Sequence, residues 1–307
     1  MESDSTMSST ETYTQTTVIA TTSHFPTQQD KQKEYHTTLL VIYSVVLLCG
    51  TVSLSLMMHI MRHRAASSTS CAVYNLIFAH FIFLFTTPFR IYYYATQYWS
   101  MGLPWCKIVS AMIHVHMYMS FVLYVVILVT RLLPHYFKAA RVVSFNRMHA
   151  FVGSGFVWVT VLVVAPCLIH FQYGKQYSPT NTTRCFNFGD NIKFARELNY
   201  FMSTSIIVVA LVLTGLQANV LLVLYRRYQQ RCTSEQDFGA QRKSLLFALI
   251  MVVCYVPYHI FRLYYIDHPD LESINEVFLS LTTFNCLDML TFLSRRTCSA
   301  CLPGSRS

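Results

Sequence analysis

The sequence predicts an all-α integral membrane protein in which seven transmembrane helices form a bundle. Three observations support this prediction. The 307-residue chain is 53% apolar and only 12% charged, and that charged share is about half of what soluble domains carry. The chain contains seven apolar runs near the ~20 residues that a helix needs to cross a bilayer. The net charge of +9 comes largely from basic residues between these runs, which indicates membrane topology rather than nucleic-acid binding.

Each predicted span is a long apolar run bounded by polar residues. The seven spans cover residues 38–61, 69–93, 103–133, 149–170, 198–225, 245–265 and 276–294. Helices are expected because strands of a membrane barrel would alternate in polarity over about 10 residues, and these runs do not alternate. Helices also satisfy every backbone hydrogen bond inside the lipid. Span seven is the weakest, because polar residues such as Asn285 and Asp288 interrupt it.

The connections between the spans predict the orientation of the chain. Lys and Arg are abundant in one set of connections, so the positive-inside rule places the N-terminus outside and the C-terminus in the cytosol. We therefore expect a Ser/Thr-rich disordered extracellular tail at residues 1–36, a seven-span domain at 37–296 and a short cytosolic tail at 297–307. The glycosylation sequon at Asn181 falls in a predicted outer loop, in agreement with this orientation. The expected location is the plasma membrane, as a multi-pass protein.

Four of the ten cysteines lie where chemistry beyond packing is expected. Cys106, at the outer start of span three, and Cys185, in the second outer loop, are the two cysteines of the predicted outer connections. An oxidising compartment favours a disulfide between them. Cys298 and Cys301 follow span seven on the cytosolic side beside two arginines, a setting typical of palmitoylation. Two reduced thiols are the alternative.

Several short motifs occur in order along the spans. They are Trp99-Ser-Met-Gly102 before Cys106, Arg131 at 25 residues after Cys106, Trp158 in span four, Cys254-Tyr255-Val256-Pro257 in span six and Asn285-Cys286-Leu287-Asp288 in span seven. Together they resemble the rhodopsin-like (class A) G-protein-coupled receptors over about residues 37–296. Two further runs, Pro88-Phe89-Arg90 and Pro257-Tyr258-His259, resemble the purinergic-like branch of that family.

The resemblance implies a receptor that passes an extracellular signal to a heterotrimeric G protein. The residues that it implies for coupling and activation are Arg131, Thr130, Tyr255, Pro257, His80, Asp288 and Phe292. Thr130 replaces the Asp that neighbours this arginine in the family, His80 replaces the sodium-binding Asp, and Phe292 replaces a Tyr. We therefore expect a weakened inactive state with basal signalling, and no sodium site. His80 is expected either to pair with Asp288 or to be neutral and hydrogen-bonded within the bundle.

The outer ends of the spans carry the candidate ligand site. Its predicted residues are Arg90, Lys107, His114, Tyr258, His259 and Arg262. In spans two, three and six these residues recur at helical spacing, and ionisable residues inside a membrane usually face the bundle interior. Arginine offers planar bidentate donors to carboxylate or phosphate, so a small anionic or lipid ligand is expected. Alternatively, the arginines contact lipid headgroups or pair with Asp267 and Asp270 of the third outer loop.

Other functional classes find less support. The motifs His-Glu-x-x-His, Gly-x-Ser-x-Gly and the Walker loop are missing from the sequence, so no enzyme activity, cofactor or metal site is expected. The expected partners are an unknown extracellular ligand, a G protein and membrane lipid, with no nucleic acid. A transporter or channel is the alternative from another class. It finds less support because Asp288 is the one acid deep within a predicted span, whereas transporters usually carry several charges along the path of the substrate. A receptor-like protein that couples to no G protein is the third hypothesis, because the activation motifs are altered.

Overall fold

The computed structural model describes residues 28–62, 68–136, 153–156, 158–159, 162–163, 185–186, 196–229 and 235–292. Within these residues all regular structure is helical, as the sequence predicts. Five of the described helices contain segments long and apolar enough to cross a membrane. These segments are Gln32–Met61, Cys71–Thr96, Leu103–Leu133, Arg196–Arg226 and Gln241–Tyr265. They correspond to the predicted spans one, two, three, five and six.

The helices of these five spans extend beyond the predicted apolar runs. They occupy Gln28–Met61, Ser68–Thr96, Leu103–Tyr136, Arg196–Gln229 and Glu235–Tyr265. Hydropathy marks only the segment that lies in lipid, whereas helical hydrogen bonding continues through polar residues of good helix propensity. The described residues of span four, which fall between 153 and 163, are helical as well.

The start of the first helix corrects the prediction of a disordered tail over residues 1–36. This helix begins at Gln28, so residues 28–36 are helical, while residues 1–27 lie outside the described part of the chain. Gln, Lys and Glu dominate this segment and are good helix formers. The His36 ring also packs edge-on against Tyr94 of span two, with 5.5 Å between the ring centroids. Apolar content cannot reveal such a polar helical extension.

Span seven departs most from the prediction of one continuous helix over residues 276–294. A 3₁₀ turn at Pro269–Leu271 leads into an α-helix at Glu272–Leu281, which becomes a 3₁₀ helix at Thr282–Phe292. The hydroxyls of the two threonines that open this last segment donate to carbonyls three residues earlier, at 2.6 and 2.5 Å. Because such bonds compete with the α-helical pattern, the polar residues that interrupt the apolar run favour the tighter helix.

The bundle differs from a soluble protein in its buried ionisable side chains and in its exposed apolar side chains. Span two packs against spans one and three, and span five packs along span six. His80, Arg90 and Asp288 are at most 2% exposed, whereas Phe85 and Val253 are 63% and 69% exposed. Soluble proteins rarely bury ionisable side chains and seldom expose large apolar surfaces. The described helices therefore bury several ionisable side chains within a largely apolar core and carry large apolar side chains on their outer faces, as a bundle in lipid requires.

The predicted disulfide between Cys106 and Cys185 is confirmed. We call the end of the bundle that carries it the disulfide end, and the opposite end, which holds Arg131, the Arg131 end. Before Cys106 the indole of Trp99 donates to the carbonyl oxygen of Gly102 at 2.8 Å. Gly102 takes a φ of +79°, a left-handed conformation that glycine adopts without steric cost. This turn sets the direction in which the chain enters span three, four residues before the disulfide-bonded Cys106.

Candidate ligand pocket and buried polar network

Span six presents its predicted site residues to the bundle interior. Tyr255, Tyr258 and His259 are at most 1% exposed, and Arg262 is half-buried. Pro257 lies within the same helix on its exposed face. The helical spacing of the four inward residues therefore translates into one inner stripe, which runs from the middle of the bundle to the disulfide end.

Arg262 is the basic residue of this stripe at the disulfide end. Its Nη1 donates to the Tyr258 hydroxyl at 3.0 Å, and its Nη2 donates to Oδ1 of Asn199 in span five at 2.8 Å. The guanidinium also lies 5.8 Å from the centroid of the Tyr258 ring, within the range of a cation–π interaction. Arg262 thus connects span six to span five through contacts that an anionic ligand could replace.

Two histidines lie close to this arginine. His259 Nδ1 is 3.2 Å from the Ser203 hydroxyl oxygen, and His114 Nδ1 is 3.2 Å from the Ser110 carbonyl oxygen. Both rings lie within reach of the Arg262 charge, so one guanidinium and two imidazoles share this part of the interior. Among the described residues, His259 Nε2 finds no hydrogen-bond partner. A ligand group that bonds to this nitrogen would remove the cost of leaving it unpaired.

The other two predicted basic residues have different surroundings. Lys107 is half-buried one position after Cys106, at the rim of the disulfide end. Arg90 is 2% exposed, and its Nη1 lies 3.7 Å from Oε1 of Glu276 in span seven. The hydroxyl of Tyr94 also donates to Glu276. The charge of Arg90 is therefore balanced by an acid that the sequence places at the start of span seven.

Arg90 also ties neighbouring spans together. Its Nη1 donates to the Tyr43 hydroxyl of span one at 3.3 Å, and its Nη2 donates to the Val109 carbonyl of span three at 3.1 Å. The Phe186 ring, next to the disulfide, lies 4.4 Å from the guanidinium carbon. These contacts make Arg90 a structural centre that holds four spans together, rather than an open ligand contact.

One acid of the connection between spans six and seven forms an exposed pair. Asp267 Oδ1 accepts from Arg196 Nη2 at 2.5 Å, and Asp267 Oδ2 accepts from the Tyr200 hydroxyl at 2.6 Å. The alternative prediction pairs the arginines of the site with Asp267 and Asp270. In the structure Asp267 pairs with Arg196, Arg90 pairs with Glu276, and the contacts of Arg262 given above are to neutral groups.

A polar network is buried deeper in the bundle, around His80 and Asp288. His80 Nε2 lies 3.5 Å from Asp288 Oδ1, the pairing that the sequence offers as one of two alternatives. The Tyr124 hydroxyl donates to Asp288 Oδ2 at 2.5 Å. Asn285 Nδ2 donates to the Tyr255 hydroxyl at 2.5 Å, so span six joins the same network. All five side chains are at most 1% exposed.

His116 and Cys286 complete this network. His80 Nδ1 is 2.8 Å from His116 Nε2. The Cys286 sulfur is 3.5 Å from His80 Nδ1 and 3.6 Å from His116 Nε2. The three ligand atoms, all buried, lie within 4.8 Å of one another. Spans two, three and seven therefore bring two imidazoles and one thiol to a single point.

At the opposite end, Arg131 contacts span six. Its Nη1 donates to the Ser244 hydroxyl at 3.1 Å. The hydroxyl of Thr130 donates to the Ile127 carbonyl of its own helix at 3.0 Å, so it is engaged within span three. Nearby, Gln217 of span five donates to Oε1 of Gln241 at 2.5 Å. Spans three, five and six thus meet through neutral amides and hydroxyls around one arginine.

Comparison with known proteins decides the family. The pattern that defines the 7 transmembrane receptor (rhodopsin family) matches residues 52–291. The chain belongs to this family. The receptor is 35% identical to probable G-protein coupled receptor 141 of Homo sapiens, over 83% of this chain and 87% of that protein. The rhodopsin-like prediction and the seven-helix fold class are confirmed.

Two further relatives match most of the receptor. Cysteinyl leukotriene receptor 2 of Mus musculus is 25% identical over 89% of this chain and 87% of its own length. Lysophosphatidic acid receptor 4 of Homo sapiens is 28% identical over 71% of this chain and 60% of its own length.

Three residues of the receptor's interior escape sequence reasoning. Glu276 is predicted as the first residue of span seven, with no role assigned to it. Cys286 is interpreted as a small packing residue. His116 is not among the predicted site residues, although its contacts lie on other spans. A buried histidine in each of two adjacent spans was the available signal.

Some predicted sites fall beyond the structure. Asn181, Cys298 and Cys301 lie outside the described residues. Phe292 is the last residue of the 3₁₀ helix of span seven, and its side chain is likewise outside the description.

Proposed function

We propose that the receptor passes a signal from a ligand bound at the disulfide end, outside the cell, to a heterotrimeric G protein at the Arg131 end. One observation carries this proposal. The helix of span six holds Arg262 near one end and Ser244 near the other, and both contact neighbouring spans. The two residues are about 27 Å apart along one helix. A ligand that changes the contacts of Arg262 therefore acts on the same helix that contacts Arg131.

The hydrogen bond between Arg131 and Ser244 can be broken at a modest cost in free energy. A hydrogen bond from a charged donor to a neutral hydroxyl contributes about 1.5–3 kcal/mol, and the Arg131–Ser244 bond is of this kind. Thr130 supplies no carboxylate beside the arginine. The inactive arrangement is thus held weakly, which supports the expectation of signalling without ligand.

The pocket favours an acidic ligand with an apolar part. Arg262 offers two donors on one guanidinium, and His114 and His259 add donors beside aromatic Tyr258. The paired N–H donors of a guanidinium can bind two oxygens of a carboxylate or phosphate group at once. Two relatives are named for acidic lipids, cysteinyl leukotriene receptor 2 and lysophosphatidic acid receptor 4, and both names agree with this ligand class. We infer an acidic lipid as the ligand class, received by a multi-pass protein of the plasma membrane.

Coupling is tested by comparing the wild-type receptor with Arg131→Ala in cells that carry a panel of G-protein dissociation sensors, without ligand. We expect basal dissociation of at least one G protein with the wild type, and loss of that signal with Arg131→Ala. Arg226→Ala is the control, because Arg226 is an exposed arginine near the same end of the bundle. Surface expression is matched by antibody labelling of an N-terminal tag.

A panel in which no sensor responds to the wild type would contradict the coupling proposal and favour a receptor-like protein that does not couple. A response retained in Arg131→Ala would assign coupling to other residues.

The ligand class is tested with a panel of acidic lipids that includes lysophosphatidic acid. For any active lipid, Arg262→Ala should lower potency about 10–100-fold, because the hydrogen bonds of a charged donor are lost. Arg196→Ala is the control, since this arginine is exposed and pairs with Asp267. Equal potency on the wild type and on Arg262→Ala, at equal surface expression, would refute the pocket.

A further inference from the structure

The cluster of His80, His116 and Cys286 lies apart from the contacts of Arg262 and Arg131 on which the signalling proposal rests. It lies in the middle of the bundle, and its three side chains are 1%, 2% and 2% exposed. Imidazole nitrogen and thiolate sulfur are the ligands that Zn²⁺ prefers. Each of the three residues comes from a different span, so the cluster exists only in the folded receptor.

The spacing of the three ligand atoms is close to that of a tetrahedral metal centre. With Zn–N of about 2.0–2.1 Å and Zn–S of about 2.3 Å, tetrahedral angles give N···S of about 3.6 Å and N···N of about 3.3 Å. The structure has N···S distances of 3.5 and 3.6 Å, and an N···N distance of 2.8 Å. The two imidazoles must therefore separate by about half an ångström to receive the ion.

The packing around His116 leaves room for this adjustment. A cavity of about 20 Å³ borders the residue between spans two, three and four. Its other walls are apolar side chains such as Phe83 and Val115, and the Phe83 ring stacks on the imidazole at 4.3 Å.

Asp288 occupies the position of an outer-shell partner. If His80 binds the ion through Nδ1, its Nε2 carries the proton and faces Asp288 Oδ1 at 3.5 Å. Histidine ligands of zinc commonly donate their second N–H to a carboxylate, which fixes the tautomer and the ring orientation. Tyr124 in turn holds the other oxygen of Asp288. The carboxylate thus orients the ligand rather than binding the ion.

Charge balance supports the same conclusion. Within the described residues, the buried His80 Nε2 and Asp288 Oδ1 lack a geometrically acceptable hydrogen bond and face each other at 3.5 Å, which is where a proton on Nε2 would lie. Binding of Zn²⁺ displaces the thiol proton of Cys286 to solvent. The two positive charges of the ion are then balanced by the Cys286 thiolate and the Asp288 carboxylate. A neutral assembly avoids the large cost of an isolated charge in an apolar interior.

We propose that His80 Nδ1, His116 Nε2 and Cys286 Sγ form a Zn²⁺ site that joins spans two, three and seven, with a water in the fourth position. The site goes beyond the proposed signalling function and does not depend on the identity of the ligand or G protein. Because the ion binds the folded receptor and not the unfolded chain, it stabilises the arrangement of these three spans.

The test uses the full-length receptor, purified in detergent and stripped of metal with a chelator. Co²⁺ is titrated in as a spectroscopic probe of Zn²⁺ sites. We expect one equivalent to produce the strong visible bands of tetrahedral Co²⁺ and a thiolate-to-cobalt charge-transfer band, and Zn²⁺ to abolish both. Added Zn²⁺ should also raise the midpoint of thermal unfolding.

The variants assign the ligands. Cys286→Ser should remove the charge-transfer band, and His116→Gln should remove the tetrahedral spectrum. Asp288→Asn should keep the spectrum but weaken Co²⁺ binding about 10–100-fold, the usual effect of losing an outer-shell partner. Cys71→Ser is the matched control, because Cys71 lies in the same span as His80 but outside the cluster, and it should behave as wild type.

Folding of each variant is checked by monodisperse elution and by its unfolding midpoint without metal. A folded wild-type receptor that shows no charge-transfer band would overturn the proposal, as would a Cys286→Ser receptor that keeps the band. Should Cys286→Ser fail to fold, His116→Gln decides alone, since a tetrahedral spectrum retained in that variant would overturn the assignment equally.

Discussion

The two ends of the bundle hold an arginine in different ways. At the disulfide end, Arg90 is 2% exposed and faces the carboxylate of Glu276. At the other end, Arg131 is half-buried and donates to the hydroxyl of Ser244. Breaking a buried ion pair by removing one partner costs about 3–5 kcal/mol, whereas a bond to a neutral group contributes less. One arginine therefore maintains the fold, and the other is placed where a contact can be exchanged.

The largest effect is expected for Glu276→Gln, which leaves the Arg90 charge uncompensated. Because Glu276 is partly accessible, we expect a loss near the lower limit, about 3 kcal/mol of unfolding free energy, and a clear fall in the thermal midpoint in detergent. Asp267→Asn, which breaks an exposed pair with Arg196, is the control and should change the midpoint little. Equal falls of the thermal midpoint in both variants would show that the buried pair stabilises the receptor no more than the exposed pair does.

An intermediate effect is expected for Ser244→Ala at the Arg131 end. Because Arg131 is half-buried, the lost hydrogen bond is expected to be worth the lower limit, about 1.5 kcal/mol, which shifts the inactive-to-active ratio by about 10-fold. Basal G-protein dissociation should therefore rise with little loss of stability. Ser53→Ala provides the comparison, since Ser53 is a fully buried serine whose hydroxyl has no hydrogen-bond partner among the described residues. A basal signal unchanged by Ser244→Ala would mean that this bond does not restrain the inactive state.

The smallest effect is expected for Thr130→Asp, which places a carboxylate beside Arg131. In this half-exposed setting an ion pair contributes about 0.5–1 kcal/mol, so basal signalling should fall about 2–5-fold. Thr130→Asn introduces a side chain of the same shape as Asp but without its charge, and it should leave basal signalling near that of the wild type. Identical signals from the two variants would show that charge at this position does not set basal activity.

Local patterns of the sequence predict much of this architecture. Helical spacing correctly places Tyr255, Tyr258 and His259 on one inner face, because the periodicity of a helix is a local property. The positions of the cysteines relative to the predicted spans and their orientation predict the Cys106–Cys185 disulfide. Because His80 replaces the Asp that the family has at this position, the sequence already indicates that the core of the bundle is unusual.

Contacts between spans could not be predicted in the same way. The partners of His80 depend on the rotation and register of three helices, which no single run of residues determines. The pairing of Arg90 with Glu276 joins residues that are far apart in the chain. Hydropathy also misses the polar helix that starts at Gln28, since it measures affinity for lipid rather than for helical structure.

The 3₁₀ segment of span seven sets both the length and the angular order of the core. Its 11 residues rise about 22 Å, against about 16 Å for the same residues in an α-helix. Three residues complete one 3₁₀ turn, so Thr282, Asn285 and Asp288 stand in one column, and all are at most 1% exposed. In an α-helix each step of three residues would turn the next side chain by about 60°. A change of pitch would therefore shorten the segment by about one helical turn and rotate Asp288 away from Tyr124 and His80.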